Sequence, residues 1–265
     1  MKPLTILFSI LVLFSASAFA YDINDLIADA KARYGQAYEE MTDMTIKQQA
    51  TVKDNADEAA MSMTMYRKGD KWRNEALIGG EEGFTATTIF DGTDVWSMTM
   101  GMKTKLPKDQ TEMTGMAEAY WKDIPDNAKM LGEENLNGRD CWIVEWNEDP
   151  ESAEPVKTWI DKKDFMHVQT LSQRSGKTTK IVNSDFRKVK GEFMIPYLTE
   201  VYSDDKLVMT STINEFTFNT GLSDDLFNPE LLGGSEMDMQ NLDLDAIMKQ
   251  AEEMKKKFGG EGGAE

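Results

Sequence analysis

An α+β fold built on a curled antiparallel sheet is what this sequence predicts, and three observations carry the prediction. Between Asp43 and Phe218 apolar residues mostly recur at a period of two, the spacing of half-buried strands. Polar turn pairs such as Gly69-Asp70, Asp91-Gly92 and Asn137-Gly138 interrupt them at short intervals. Helical spacing is confined to three short stretches. Regular short strands with tight turns curl into a barrel or an open half-barrel.

The chain has 265 residues, enough for one large domain or two small ones. A hydrophobic share of 40% argues against wholesale disorder. The net charge of −18 excludes the basic surface that nucleic acid or anionic lipid would need.

The elements follow in order. Lys2, the apolar run Leu4 to Phe14 and the small-x-small triplet Ala18-Phe19-Ala20 form an export-signal pattern over residues 1–20, with cleavage near Ala20. The run is too short for the ~20 residues of a membrane span. Asp22 to Glu40 reads as a helix, with Ile23, Leu26, Ile27, Ala30 and Tyr34 on one face and Asp22 or Asn24 as its cap. Strands follow over Met44–Val52, Met61–Tyr66, Lys71–Ile78, Thr85–Phe90 and Val95–Met102. Lys108 to Lys122 returns to helical spacing through Met113, Met116, Ala117, Tyr120 and Trp121, and Pro125 ends it. Strands resume at Lys129 and Arg139–Trp146. A meander follows: Val156–Ile160, Met166–Gln173, Thr178–Val189, Phe193–Tyr202 and Leu207–Phe218. The main domain spans residues 21–232. Residues 233–265 form an acidic, Gly-flanked tail. In it Leu244, Ile247, Met248, Ala251, Met254 and Phe258 make one helical stripe.

Motifs for catalysis are absent: no Gly-x-Ser-x-Gly elbow, Walker loop, His-Glu-x-x-His or dinucleotide fingerprint occurs. Asp204-Asp205 and Asp224-Asp225 suit turns better than acid–base pairs. Cys141 lies in the apolar run Cys141-Trp142-Ile143-Val144 and reads as a small buried hydrophobe. His167 has no second His to join in a metal site or a triad. No enzyme activity, cofactor or metal is expected.

Methionine is the informative residue. Met61, Met63 and Met65 alternate, as do Met98, Met100 and Met102. Three readings compete: ordinary core, a pliable wall for a bulky apolar ligand, and a Cu(I) thioether site lacking its usual His or Cys. The ligand wall is preferred. Its candidate residues are Met61, Met63, Met65, Trp72, Trp96, Met98 and Met100, with Met113, Met116 and Tyr120 as a lid. Trp142 is a further aromatic in an apolar strand position.

The chain resembles a known family along residues 22–232. The resemblance is carried by the leading helix and by Phe90-Asp91-Gly92-Thr93-Asp94-Val95-Trp96. It continues through Thr158-Trp159-Ile160-Asp161-Lys162-Lys163, Ser184-Asp185-Phe186-Arg187-Lys188-Val189 and Ile195-Pro196. It ends in Gly221-Leu222-Ser223-Asp224-Asp225-Leu226-Phe227-Asn228-Pro229. This pattern is similar to the outer-membrane lipoprotein-sorting proteins, the LolA-like superfamily. The resemblance implies an open half-barrel of about eleven strands, with helices covering a concave apolar face that holds acyl chains. It implies a periplasmic, non-catalytic lipoprotein or lipid carrier, with a basic residue beside the cavity for which Arg67 is the candidate. An inner-membrane transporter or outer-membrane acceptor would be the protein partner of such a monomer. The alternative is an envelope sensor or exporter-associated interaction module that uses the tail and the acidic surface.

Overall fold

The computed structural model describes residues 21–54, 57–80, 83–106, 124–147, 155–174, 176–233 and 235–236. The export signal, the expected helix at Lys108–Lys122 and the tail helix lie outside the described residues, as do Met113, Met116 and Tyr120.

Helix α1 (Ile23–Glu39) starts where the sequence placed its cap. The Asp22 carboxylate accepts from the Asn24 and Asp25 N–H groups at 2.7 and 3.1 Å, and Asp25 returns the contact to the Asp22 N–H at 3.0 Å. This reciprocal box satisfies donors that a helix start leaves open. Leu26, Ala30, Tyr34 and Tyr38, spaced four apart, form its buried face.

One sheet holds every strand among the described residues. Its antiparallel strands are β1 (Asp43–Asp54), β2 (Asp57–Lys68), β3 (Lys71–Ile78), β4 (Phe84–Phe90), β5 (Val95–Thr99), β6 (Met102–Leu106), β7 (Lys129–Leu136), β8 (Arg139–Trp146), β9 (Val156–Asp161), β10 (His167–Arg174), β11 (Lys177–Lys190), β12 (Phe193–Ser203) and β13 (Lys206–Phe218). A two-residue β14 (Ser235–Glu236) pairs parallel to β6. The order is β14-β6-β5-β4-β3-β2-β1-β13-β12-β11-β10-β9-β8-β7, with β14 and β7 at unjoined edges. The sheet is curled and open, an α+β half-barrel with thirteen antiparallel strands among the described residues rather than the expected eleven.

Part of the higher count comes from a turn the alternation concealed. Val95–Met102 is two strands, because Met100 and Gly101 take positive φ of 54° and 77° and pair Thr99 with Met102 across a hairpin. Asn137-Gly138 forms the same kind of turn, with φ of 53° and 84°, between Leu136 and Arg139. Asp204 and Asp205 also take positive φ, of 48° and 62°, and turn β12 into β13.

The core lies between α1 and one face of the sheet. Tyr34 and Tyr38 pack with Met44, Ile46, Met65 and Met166, while Leu26 meets Val144 and Ile160. The helix is also anchored by polar contacts. Tyr34 donates to the Asp164 carbonyl, and Arg33 donates to the Lys163 carbonyl and the Asp164 carboxylate. Buried Asp43 accepts from the Thr220 and Gly221 N–H groups at 2.8 and 2.9 Å, binding the start of β1 to the chain that leaves β13.

The opposite, convex face carries its own cover. The 3-10 helix Asp224–Phe227 lies along the outside of β3, and a second, Pro229–Leu232, follows it. Arg73 donates to the Leu226 carbonyl at 3.0 Å, and Phe227 is buried. Asp224 meets Lys68 and Lys71 at 3.1 and 3.4 Å.

Candidate functional site

Cross-strand register decides which side chains share the concave face. Ile46 pairs with Met65, Gln48 with Met63 and Ala50 with Met61, so the first methionine ladder lies on the face that α1 covers. On the other side of β1, Gln48 stands opposite Ile213 and Ala50 opposite Ser211.

A cavity of about 480 Å³ opens on this face. Ile46 and Met65 form one wall. Ile181, Ile195, Val201, Met209 and Ile213 from β11, β12 and β13 form its floor, and Ile124 and Trp146 also border it. Ile46, Met65 and Ile213 also belong to the packing beneath α1, so the cavity begins where the helix stops covering the sheet. Such a volume lies within the ~300–1,000 Å³ of small-ligand pockets. The polar groups reaching it are few: Gln48, His167, Asn183, Tyr197, Thr199 and Ser211.

The candidate residues divide between the two faces. Met65 lines the cavity, and Met61 and Met63 continue its ladder on the same face. Trp72 pairs with Arg67 on that face and stacks on Phe90 at 6.1 Å. Trp96 and Met98 lie on the convex face, a correction to the expectation that they join the first ladder. Trp96 pairs with Ile89 and Met98 with Thr87, whereas the concave row runs from Met65 through Asn74 and Thr88 to Ser97. The Trp96 ring has Lys103 and Lys105 ammonium groups over it at 5.3 and 5.6 Å. Met100 is not on a strand face; it is the first residue of the β5–β6 turn and is 40% exposed.

The loop that sets this parity is built around Asp91. Its carboxylate accepts from the Thr93 and Asp94 N–H groups at 2.8 and 2.9 Å and from the Trp96 indole at 3.3 Å. Burial works against its charge, yet these hydrogen bonds leave its pKa below the usual carboxylate value.

Arg67 sits at the junction of helix and sheet. Its guanidinium donates to the Tyr38 hydroxyl, lies 4.7 Å from the Tyr38 ring and reaches the Met41 carbonyl at 3.4 Å. It therefore contacts the C-terminal end of α1, the element flanking the cavity.

The groups with reactive chemistry are subdued. His167 is half-buried in the cavity wall, and desolvation pushes its pKa down to about 4, so it is neutral near pH 7. Cys141 is fully buried on the convex side, and burial raises its thiol pKa to about 11, so the thiolate is scarce. Among the described residues no group of three or more His, Cys, Asp or Glu is placed to hold a metal ion.

The methionine reading missed most of the floor. β11, β12 and β13 carry it through Ile181, Ile195, Val201, Met209 and Ile213. The signal was present as period-two alternation, but branched aliphatics in a meander look like any strand core.

A family model described as "Uncharacterized protein" matches residues 95–233, just over half of the chain. No curated protein matches in sequence. Among solved structures, a domain from Vibrio parahaemolyticus described as an outer membrane lipoprotein-sorting protein is similar at 14% identity and a TM-score of 0.60, over 80% of this chain and 97% of that one. A DUF1329 family protein from Desulfovibrio piger is 16% identical with a TM-score of 0.57, over 79% and 98% of the two chains. A LolA superfamily protein from Nitrosomonas europaea is 16% identical with a TM-score of 0.54, over 77% and 99%. The chain thus belongs to the family of that matching model, and its half-barrel is the LolA-like fold.

Proposed function

We propose that the protein is a periplasmic carrier or binding protein that shelters the acyl chains of a lipoprotein or another lipid, without catalysis. One observation carries the reading: an apolar cavity opens on the concave face at the point where α1 ceases to cover it. Each acyl methylene withdrawn from water contributes about 0.8 kcal/mol, so even one chain in this cavity is held against loss to solvent. Met65, with Met61 and Met63 beside it, supplies unbranched side chains that adapt to chains of different shape. The Arg67–Tyr38 contact joins α1 to β2 and is placed to set how readily the helix end lifts. The negative charge of −18 opposes sticking to anionic membranes between loading and release.

The non-catalytic reading draws on the state of the two reactive side chains, a His held neutral and a thiol held protonated. The test is lipid extraction and native mass spectrometry of protein taken from its host, together with uptake of a fluorescent fatty-acyl probe. Bound lipid and saturable uptake are expected. Clean spectra with no uptake would remove the proposal.

A further inference from the structure

The cavity floor holds a polar row that a purely hydrocarbon ligand would not use. Ser211 pairs with Thr199 across β13 and β12, and Thr199 pairs with Asn183 across β12 and β11, so the three stand side by side. Two are satisfied within the protein. The Thr199 hydroxyl donates to the Asn183 side-chain carbonyl at 2.9 Å, and the Asn183 amide donates to the His167 backbone carbonyl at 3.2 Å. The row ends at Ser211, which is 7% exposed, lines the cavity and has no hydrogen-bond partner for its hydroxyl among the described residues.

That hydroxyl depends on the contents of the cavity for its hydrogen bond. A buried hydroxyl without a partner costs about 1–3 kcal/mol, and an alanine would complete the same wall without it. The diagonal neighbour on β1 has a related shortage. Among the described residues the Gln48 amide donates only to the Met63 sulfur at 3.8 Å, a weak acceptor. Two donors thus face one part of the cavity without a strong acceptor between them. The Ser211 oxygen is itself buried, and rotation about Cα–Cβ is the movement that would turn its O–H toward the cavity.

Resting on the carrier reading, we infer that the ligand is an acyl chain whose neutral carbonyl, ester or amide, is received by Ser211 with Gln48 beside it. A carbonyl oxygen has two lone pairs and can accept from both donors. A carboxylate would also accept, but burying its charge in this apolar surround, with no Lys or Arg among the described lining residues, is far more costly. Ester and amide carbonyls have the same acceptor chemistry. The ester would come from a glycerolipid or the diacyl part of a lipoprotein, the amide from an N-acylated terminus.

Displacement of a bound fluorescent acyl probe by methyl palmitate, N-methylpalmitamide and heptadecane, delivered from the same cyclodextrin, tests this. The intact protein should prefer the two carbonyl compounds by about 5–10-fold over heptadecane, the effect of one or two net hydrogen bonds. Ser211→Ala should cut the preference to about twofold, what the Gln48 amide alone supports, and melt no lower than the parent without ligand. Ser211→Thr should restore the preference. A stronger amide or a stronger ester assigns the source, and either supports the inference. Displacement by heptadecane with no carbonyl preference, or with a preference that Ser211→Ala leaves undiminished, overturns the inference and leaves the carrier reading standing. Failure of all three compounds to displace, with no probe uptake, overturns the carrier reading and this one with it.

Discussion

Two methionine runs with the same spacing have opposite fates in this protein. Met61, Met63 and Met65 stay on one strand and share the concave face with the cavity. Met98, Met100 and Met102 are divided: Met98 is on the convex face, Met100 is in a turn and Met102 begins the next strand. Alternation tells which residues of one strand share a face, but not which face of the sheet that is. The turns decide it. Phe90 pairs with Val95 across four loop residues, and that spacing places Trp96 opposite the concave row. The second run then breaks because Met100 and Gly101 adopt the backbone of a two-residue hairpin.

The largest test of this division is a carboxylate placed on each face. Met63→Asp puts a charge into the apolar ladder beside the cavity, and loss of measurable acyl-probe uptake is expected. Met98→Asp lands opposite Lys103 on the convex face, where an anion has a partner, and uptake should stay within about twofold of the parent. Equal loss in both variants would show that face does not govern binding.

The convex cover offers a contrast in stability. Phe227 is buried against the outside of the sheet, so Phe227→Ala should lower the unfolding free energy by about 3–5 kcal/mol in urea titrations. Probe affinity at low urea should be retained, since the cavity is on the other side. Affinity that falls in parallel with stability would mean the two faces are coupled.

Much of this was legible in the sequence, for local reasons. The Asp22 cap, the Asn137-Gly138 hairpin and strand β8 follow from residue types whose preferences act over a few positions. The face of Trp96 was not legible, because it depends on register accumulated across hairpins and on how Asp91 shapes one loop. The cavity floor was hidden for another reason: its aliphatics have the same alternation whether the concave face is filled or left open. The polar row from Ser211 to Asn183 had no signal at all, since Ser, Thr and Asn on three strands become neighbours only through pairing.

Each face also has a group held ionically away from its ordinary state, and their pH windows differ. Burial depresses the His167 pKa from 6.5 to about 4, so between these values the unfolded chain binds the extra proton. Stability contributed there is complete above pH 6.5 and lost as pH falls toward 4, by about 1–3 kcal/mol. Asp91, with a lowered pKa, contributes above its ordinary value of 3.8 and loses that contribution as pH falls through its folded pKa. Urea titrations from pH 8 to 3 should therefore lose slope between 6.5 and 4 in His167→Gln, and below 4 in Asp91→Asn. A profile unchanged by His167→Gln would show that the concave histidine is not desolvated.

The smallest effect bears most directly on the divided run. Met100 holds a φ of 54°, which an ordinary side chain adopts at a cost, while Asn137 occupies the equivalent turn position at 53° with a residue suited to it. Met100→Asn copies the Asn-Gly turn onto the β5–β6 hairpin. Met100 is 40% exposed, so little burial is given up in the exchange. A gain of about 0.5–1 kcal/mol is expected, read as a higher urea midpoint with the slope unchanged. Acyl-probe affinity should not move. If Met100 were part of the ligand wall, the polar amide would weaken uptake instead, and the same pair of measurements separates a strained turn from a binding residue.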